Sequence, residues 1–313
     1  MHDNKSDFCD LLSRISHETA IPEWIIEKDY YITLLLRALA NKLPFLVFKG
    51  GTSLSKCYRI INRFSEDIDL TTNCKITQGQ KYLVKSEIEN AAIDLGMQIS
   101  NSNNIFSKRN YNRYIIRYQS AINNLINAPV SEIIVETVYK TTSFPTTSMP
   151  VACIIGDYLT KIDSSIQNQY HLTGFQMQVQ NIERTLVDKV FAICDYYLDD
   201  KKNRNSRHIY DIYKLLPKVE LDNKFRDLVV AVRKDRMKSP VCYSAKAGVN
   251  PQDVLRKLVQ EKAFESDYKQ VTDKLLLEDV SYEEAIRAII AIMDSGIFLF
   301  KLEQERLSCI LKD

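Results

Sequence analysis

Apolar and polar positions follow two different periods along this chain, and the change between them divides it. Residues 7–20 carry apolar side chains at helical spacing. Pro22 then opens a longer helix to about residue 41, with Trp24, Ile25, Tyr31, Leu35 and Ala38 as its apolar stripe. The next run, Phe45-Leu46-Val47-Phe48, is short enough for a strand and leads into a Gly50-Gly51-Thr52-Ser53 turn, followed by a helix from Ser53 to about Ile61. A second apolar run contains Asp67 and Asp69. On a strand both carboxylates project from one face while Ile68 and Leu70 face the core.

Further on, residues 80–96 read as a surface helix capped by Gly96, and residues 100–113, rich in Asn, Ser and basic side chains, as a loop. A strand over 114–119 and a polar loop over 122–129 precede the β-branched run 132–139, where Glu136 shares a face with Ile134 and Val138. Residues 151–180 are a transition that closes on the alternating strand 175–180. From Asn181 the period is helical: Ile182, Leu186, Val187, Val190, Ile193 and Cys194 mark one helix, and others are expected at 225–236, 251–261, 268–277 and 282 to about 311. The last is capped by Asp279 or Ser281. These elements predict an α+β protein, with a mixed-sheet domain over 1–180 that includes the N-terminal helices and a helical domain over 181–313.

Composition narrows the class. The chain has 313 residues, 45% apolar and 26% charged, as in ordinary globular proteins. Its formal net charge of +2 means that any contact with nucleic acid must come from a local basic patch. The seven scattered cysteines contain no Cys-x-x-Cys pair, which points to reduced, buried thiols in a cytoplasmic protein. The N-terminus lacks an apolar signal segment, and the most apolar windows are too short or too charge-flanked to span a bilayer, so a soluble protein without membrane partners is expected.

The chemistry concentrates between residues 48 and 70. Two neighbouring carboxylates such as Asp67 and Asp69 repel each other, and a divalent cation offsets that repulsion. Paired glycines let backbone N–H groups approach a phosphate, Ser53 can add a hydroxyl donor, and Lys49 and Lys56 bracket the turn. Each half has a plainer reading, since Gly-Gly is usually only a turn and Asp-x-Asp a solvated edge or a cap. Glu136 needs a partner on its strand, either a metal ion or an arginine at a sheet edge. Glu27-Lys28-Asp29 reads as a solvated helix face, Lys189 as a snorkelling lysine, and Asp211 as a cap or a partner of Arg207. Lys201, Lys202, Arg204, Arg207, Lys234, Arg236 and Lys238 are either solvated charges or a track for an RNA backbone.

Gly50-Gly51-Thr52-Ser53 followed by Ser65-Glu66-Asp67-Ile68-Asp69-Leu70 resembles the signature of DNA-polymerase-β-type nucleotidyltransferases. More narrowly, it is similar to the AbiEii/AbiGii toxin family of abortive-infection and toxin–antitoxin systems. Glu183–Lys189 and Arg207–Asp211 look like that family's third and fourth motifs, and Glu27-Lys28-Asp29 like a further family run, which would turn Lys28 toward the site. The resemblance implies a polymerase-β-type core with a C-terminal helical domain. It implies catalysis by Asp67, Asp69, Glu136, Lys189 and Asp211, the first three holding Mg²⁺ or Mn²⁺, and a nucleoside triphosphate on Lys49, Gly50, Gly51, Thr52, Ser53, Ser65 and Lys189. It further implies nucleotide transfer to an acceptor hydroxyl, with the 3′ end of transfer RNA as one candidate, and a cognate antitoxin as partner. Modification of a small molecule or protein hydroxyl, and a non-catalytic module that binds nucleotide or a protein, are the competing functions.

Overall fold

The structure, a computed structural model, describes residues 1–65, 67–122, 131–162, 164–170 and 172–300. By its contacts the chain forms two compact units: Met1–Arg59 with Ser65–Gln180, and Ile60–Phe64 with Asn181–Asp313.

The first unit begins with α1 (Lys5–Thr19), capped by the Asn4 side chain and burying Phe8, Leu12 and Ile15 on one face. Helix α2 (Glu23–Lys42) follows Pro22 and is buried over much more of its circumference than a single stripe, including Glu27 and Lys28. The Glu27-Lys28-Asp29 face is therefore not solvated. Glu27 accepts bonds from Ser120 Oγ and the Ala121 N–H, both at 2.6 Å. Asp29 accepts from the Ile154 N–H at 2.8 Å and pairs with Lys56 at 2.5 Å.

Strand β1 (Leu46–Lys49) runs into α3 (Gly50–Lys56), which starts in the glycine pair and stops five residues short of the expected end. Strand β2 (Asp67–Thr72) then returns antiparallel to β1. The remaining elements of this unit are α4 (Gln78–Asp94), with a Thr77/Gln80 capping box, β3 (Gln98–Ile99), β4 (Tyr111–Arg117) and β5 (Glu132–Val138). After them come β6 (Thr146–Val151), α5 (Ile154–Ile162), α6 (Ser164–Gln169) and β7 (Phe175–Gln180).

Among the described residues, seven strands form one mixed sheet in the order β3-β4-β5-β2-β1-β7-β6. Pairing is parallel for β2–β5 and β1–β7 and antiparallel elsewhere. The fold is thus α+β, with the β1–α3–β2 segment at the centre of the sheet. Strand β4 begins three residues earlier than its pattern suggested. Helices α5 and α6 lie in the stretch read as a transition, and β6, which ends where that stretch begins, is a polar edge strand carrying Pro150, a sequence with no strand-like alternation. Most of the expected loop 122–129 lies outside the described residues.

The second unit contains α7 (Ile182–Leu198), α8 (Arg207–Leu215), α9 (Asn223–Arg236), α10 (Pro251–Gln260), a short α11 (Glu265–Asp267) and α12 (Tyr282–Ser295). Its core includes Leu186, Val190, Phe191, Ile209, Leu255, Ile289 and Phe298, all without exposed surface. The expected helix 268–277 is a wide turn over Tyr268–Thr272 and a tight one over Asp273–Leu275. Ser281 caps α12, which ends at Gly296 in the left-handed conformation (φ 66°), and the predicted extension beyond residue 300 lies outside the described residues. Segment 60–64 joins this unit by backbone bonds from Phe64 N–H to the Leu275 carbonyl (3.0 Å) and from Leu277 N–H to the Asn62 carbonyl (2.9 Å).

Candidate active site

Gly50 fixes the geometry of the site. Its φ of +79° lies in the left-handed region, and a Cβ there would stand 2.9 Å from Asp69 Cγ and closer still to Oδ2. Only glycine allows the turn and the carboxylate to touch in this way. Alternation along β2 leaves Asp67 and Asp69 half-buried while Ile68 and Leu70 have no exposed surface. On one side of β2, Asp69 is paired in register with Lys49 of β1; on the other, parallel side it is paired with Glu136 of β5. Register neighbours on adjacent strands share a face of the sheet, so Asp69 and Glu136 project together.

Burial and then the Asp69 charge raise the Glu136 carboxyl above the ordinary glutamate range, against the opposing pull of Tyr111, Arg113 and Lys49. Tyr111 donates its hydroxyl to Glu136 Oε1 at 2.9 Å, and the Arg113 guanidinium lies 3.8 Å from the same oxygen. Neither residue carried a motif. Both sit opposite Glu136 or two positions beyond on β4, and only the strand pairing reveals them.

The hydroxyls of the turn serve the turn itself. Ser53 has no exposed surface and donates its proton to the Gly50 carbonyl at 2.9 Å. Thr52 donates to the Asp67 carbonyl at 2.5 Å and lies 3.0 Å from Ser65 Oγ. A hydroxyl has one proton, so neither Ser53 nor Thr52 offers a phosphate a donor in this arrangement, contrary to expectation. Any such donors here are backbone N–H groups. Thr52 and Ser65 instead tie the turn to the start of β2. Lys56 is also not a phosphate partner: its ammonium is buried between Asp29 (2.5 Å) and Thr33 Oγ1 (2.7 Å). Lys28 is buried in α2.

In the second unit, α7 and α8 place Lys189 and Asp211 together, with Lys189 Nζ donating to Asp211 Oδ2 at 2.5 Å. Arg63 joins them through a two-pronged pair, Nε to Oδ1 and Nη2 to Oδ2, both 2.7 Å. Burial works against the Asp211 charge, but Arg63 and then Lys189 outweigh it and hold the carboxyl far below the usual range. Arg207 is thus not the partner of Asp211. Four of the seven candidate basic residues are engaged internally: Lys201 with Asp199 (2.5 Å), Lys202 with Asp200 (3.2 Å), Lys238 with Asp235 (2.6 Å), and Arg236 with both Asp188 and Asp195. The six described cysteines are free; Cys57, Cys153, Cys194 and Cys242 are buried, while Cys74 is exposed.

Among the described residues, no group of three or more His, Cys, Asp or Glu side chains is placed so that it could hold a metal ion by itself. Asp69 and Glu136 are nevertheless hard oxygen donors that burial and mutual repulsion set against each other, and Gly50 opens space beside them. That donor set fits a divalent cation that also takes ligands from a bound substrate.

A mixed sheet that brings a glycine turn against carboxylates on adjoining strands has the form of a nucleotidyl-transferring enzyme. The chain belongs to the nucleotidyl transferase AbiEii toxin family of type IV toxin–antitoxin systems, which matches residues 33–291. A similar solved structure is MenT4, a nucleotidyltransferase toxin from Mycobacterium tuberculosis H37Rv, with a TM-score of 0.58 and 17% identity over 95% of this chain and 91% of that one. A candidate nucleotidyltransferase from H. pylori aligns with a TM-score of 0.48 and 18% identity, over 91% of this chain and 98% of that one. The first likeness shows the fold. No curated protein matches the sequence. Among the described residues, no helix is long and apolar enough to cross a membrane.

Proposed function

We propose that this nucleotidyltransferase moves a nucleoside monophosphate from a nucleoside triphosphate to an acceptor hydroxyl, with Mg²⁺ or Mn²⁺ held by Asp67, Asp69 and Glu136. The contact of Gly50 with Asp69, itself in register with Glu136, is the observation that carries this reading. A divalent cation at these residues would polarise the α-phosphate and favour the ionised acceptor hydroxyl. The protein's own groups do the rest. Backbone N–H groups at Gly50 and Gly51 cradle the phosphates, with Thr52, Ser53 and Ser65 holding the turn in shape. Lys49 and Lys189 add positive charge against the triphosphate and its departing pyrophosphate, and Asp211 holds Lys189 in place.

We further propose RNA as the acceptor class, with the 3′ end of transfer RNA as the specific candidate. Family membership supports this, together with Arg204, Arg207 and Lys234, the members of the basic set that make no ion pair among the described residues. Membership in a type IV toxin–antitoxin family also supports a cognate antitoxin as partner. The test is incubation of the purified protein with α-labelled triphosphates and total cellular RNA, followed by sequencing of RNA 3′ ends. Added nucleotides on transfer RNA are expected; label confined to proteins or small molecules would overturn the RNA assignment.

A further inference from the structure

The sequence motifs gave Arg63 no role, yet three hydrogen bonds fix its guanidinium beside the Lys189–Asp211 pair. Its guanidinium takes both oxygens of Asp211 at 2.7 Å, while Nη1 donates to the Phe64 carbonyl at 3.0 Å. The segment that carries it is fixed in turn, since the Asn62 N–H donates to the Tyr210 hydroxyl at 2.9 Å and Phe64 and Leu277 close backbone bonds on either side. Asp211 is thereby shared by two cations, and it has no exposed surface.

We propose that Arg63 is a positioning residue for nucleotidyl transfer. By satisfying Asp211 with its own charge, it leaves the Lys189 ammonium oriented but not neutralised, and so able to attract a nucleotide phosphate. This rests on the reading that Lys189 meets the triphosphate. The charge count is direct: one carboxylate stands between a guanidinium and an ammonium, and the cluster keeps a surplus of one positive charge. Without Arg63, the Lys189–Asp211 pair would be neutral and its attraction for an anion would fall to what Arg207 supplies.

The other charged or titratable groups facing the cluster do not cancel that surplus. Arg207 adds to it, His208 is held neutral by burial and its cationic neighbours, the Tyr210 and Tyr268 hydroxyls stay protonated, and the Glu278 carboxylate that accepts the Tyr210 hydroxyl is paired with Lys214 at 2.9 Å. Burial and then Arg63 favour the neutral form of Lys189, so removing Arg63 also raises the pH at which Lys189 loses its proton.

The experiment measures kcat and KM for each of the four nucleoside triphosphates across pH, for the wild-type chain, Arg63→Met, Arg63→Gln and Arg63→Lys. For Arg63→Met we expect a rise in KM of about 10-fold or more with a smaller change in kcat, and an alkaline limb displaced to higher pH. Arg63→Lys keeps a cation on Asp211 and the surplus on Lys189 and should keep most of the nucleotide affinity, while Arg63→Gln, which can still donate a hydrogen bond to Asp211 but carries no charge, should lose it as Arg63→Met does. A folded Arg63→Met with wild-type KM and an unmoved alkaline limb would reduce Arg63 to a structural residue. If Arg63→Met does not fold, Arg63→Lys and Arg63→Gln decide: KM within about threefold of wild type for Arg63→Lys with a rise of about tenfold for Arg63→Gln supports the role, and equal KM values for the two overturn it. A wild-type chain that transfers no nucleotide defeats the underlying reading rather than the role of Arg63.

Discussion

At the scale of single residues, the site rests on close contacts that tolerate little change. Alanine at Gly50 would meet both a positive φ and the Asp69 carboxylate, so the turn or the acid must move. We expect Gly50→Ala to lose about 1–3 kcal/mol of stability from backbone strain and at least about 100-fold in activity from the displaced Asp69. Urea unfolding and nucleotide transfer would measure the two effects separately. Glu136 shows a different balance. Its folded carboxyl titrates above its unfolded range, so any stability it contributes is present at low pH and lost as pH rises through the raised value. At neutral pH the ionised group therefore destabilises the metal-free protein. Glu136→Gln keeps an acceptor for the Tyr111 hydroxyl and removes the repulsion with Asp69. Its Tm without metal should rise at pH 7 on the order of 1–2 °C and the gain should vanish near pH 4, while activity falls steeply. A Tm that fell at neutral pH would show that the charge is stabilising.

At the scale of elements, strands whose pattern alternates cleanly were legible, and β2, β5 and β7 lie where the sequence put them. Strand β6 was not, because an exposed edge strand has little need of alternation and its Thr-Thr-Ser-Met-Pro sequence has none. Lys56 and Asp29 were misread for a related reason: charge in a sequence suggests solvent, and only the approach of α3 to α2 shows a buried pair. Breaking that pair leaves Asp29 charged and half-buried. Lys56→Met should therefore cost about 3 kcal/mol or more, and Lys56→Met/Asp29→Asn should recover part of it in chemical unfolding. That Asp67 and Asp69 share one face of β2 was legible because period-two alternation fixes it. Tyr111 and Arg113, the groups that hold Glu136, depend on the pairing of β4 with β5 across a long connection that no local pattern encodes.

At the scale of the whole molecule, the change from sheet to helices near residue 180 was visible as a change of period. The passage of residues 60–64 into the helical unit was not, because five residues of extended chain carry no signature of what they pair with. That passage makes Arg63 part of the unit that holds Lys189 and Asp211, although in sequence it lies four residues before Asp67. The central claim is that Asp69, lodged against Gly50 and beside Glu136, supports metal-dependent nucleotidyl transfer. The most direct test is label transfer from α-labelled triphosphate by wild type and Asp69→Asn, each titrated with Mg²⁺ and Mn²⁺. Wild type should transfer label only with metal, and Asp69→Asn, still folded by circular dichroism, should be slower by about a thousandfold or more. Transfer by Asp69→Asn at the wild-type rate, or wild-type transfer unaffected by chelation, would contradict it.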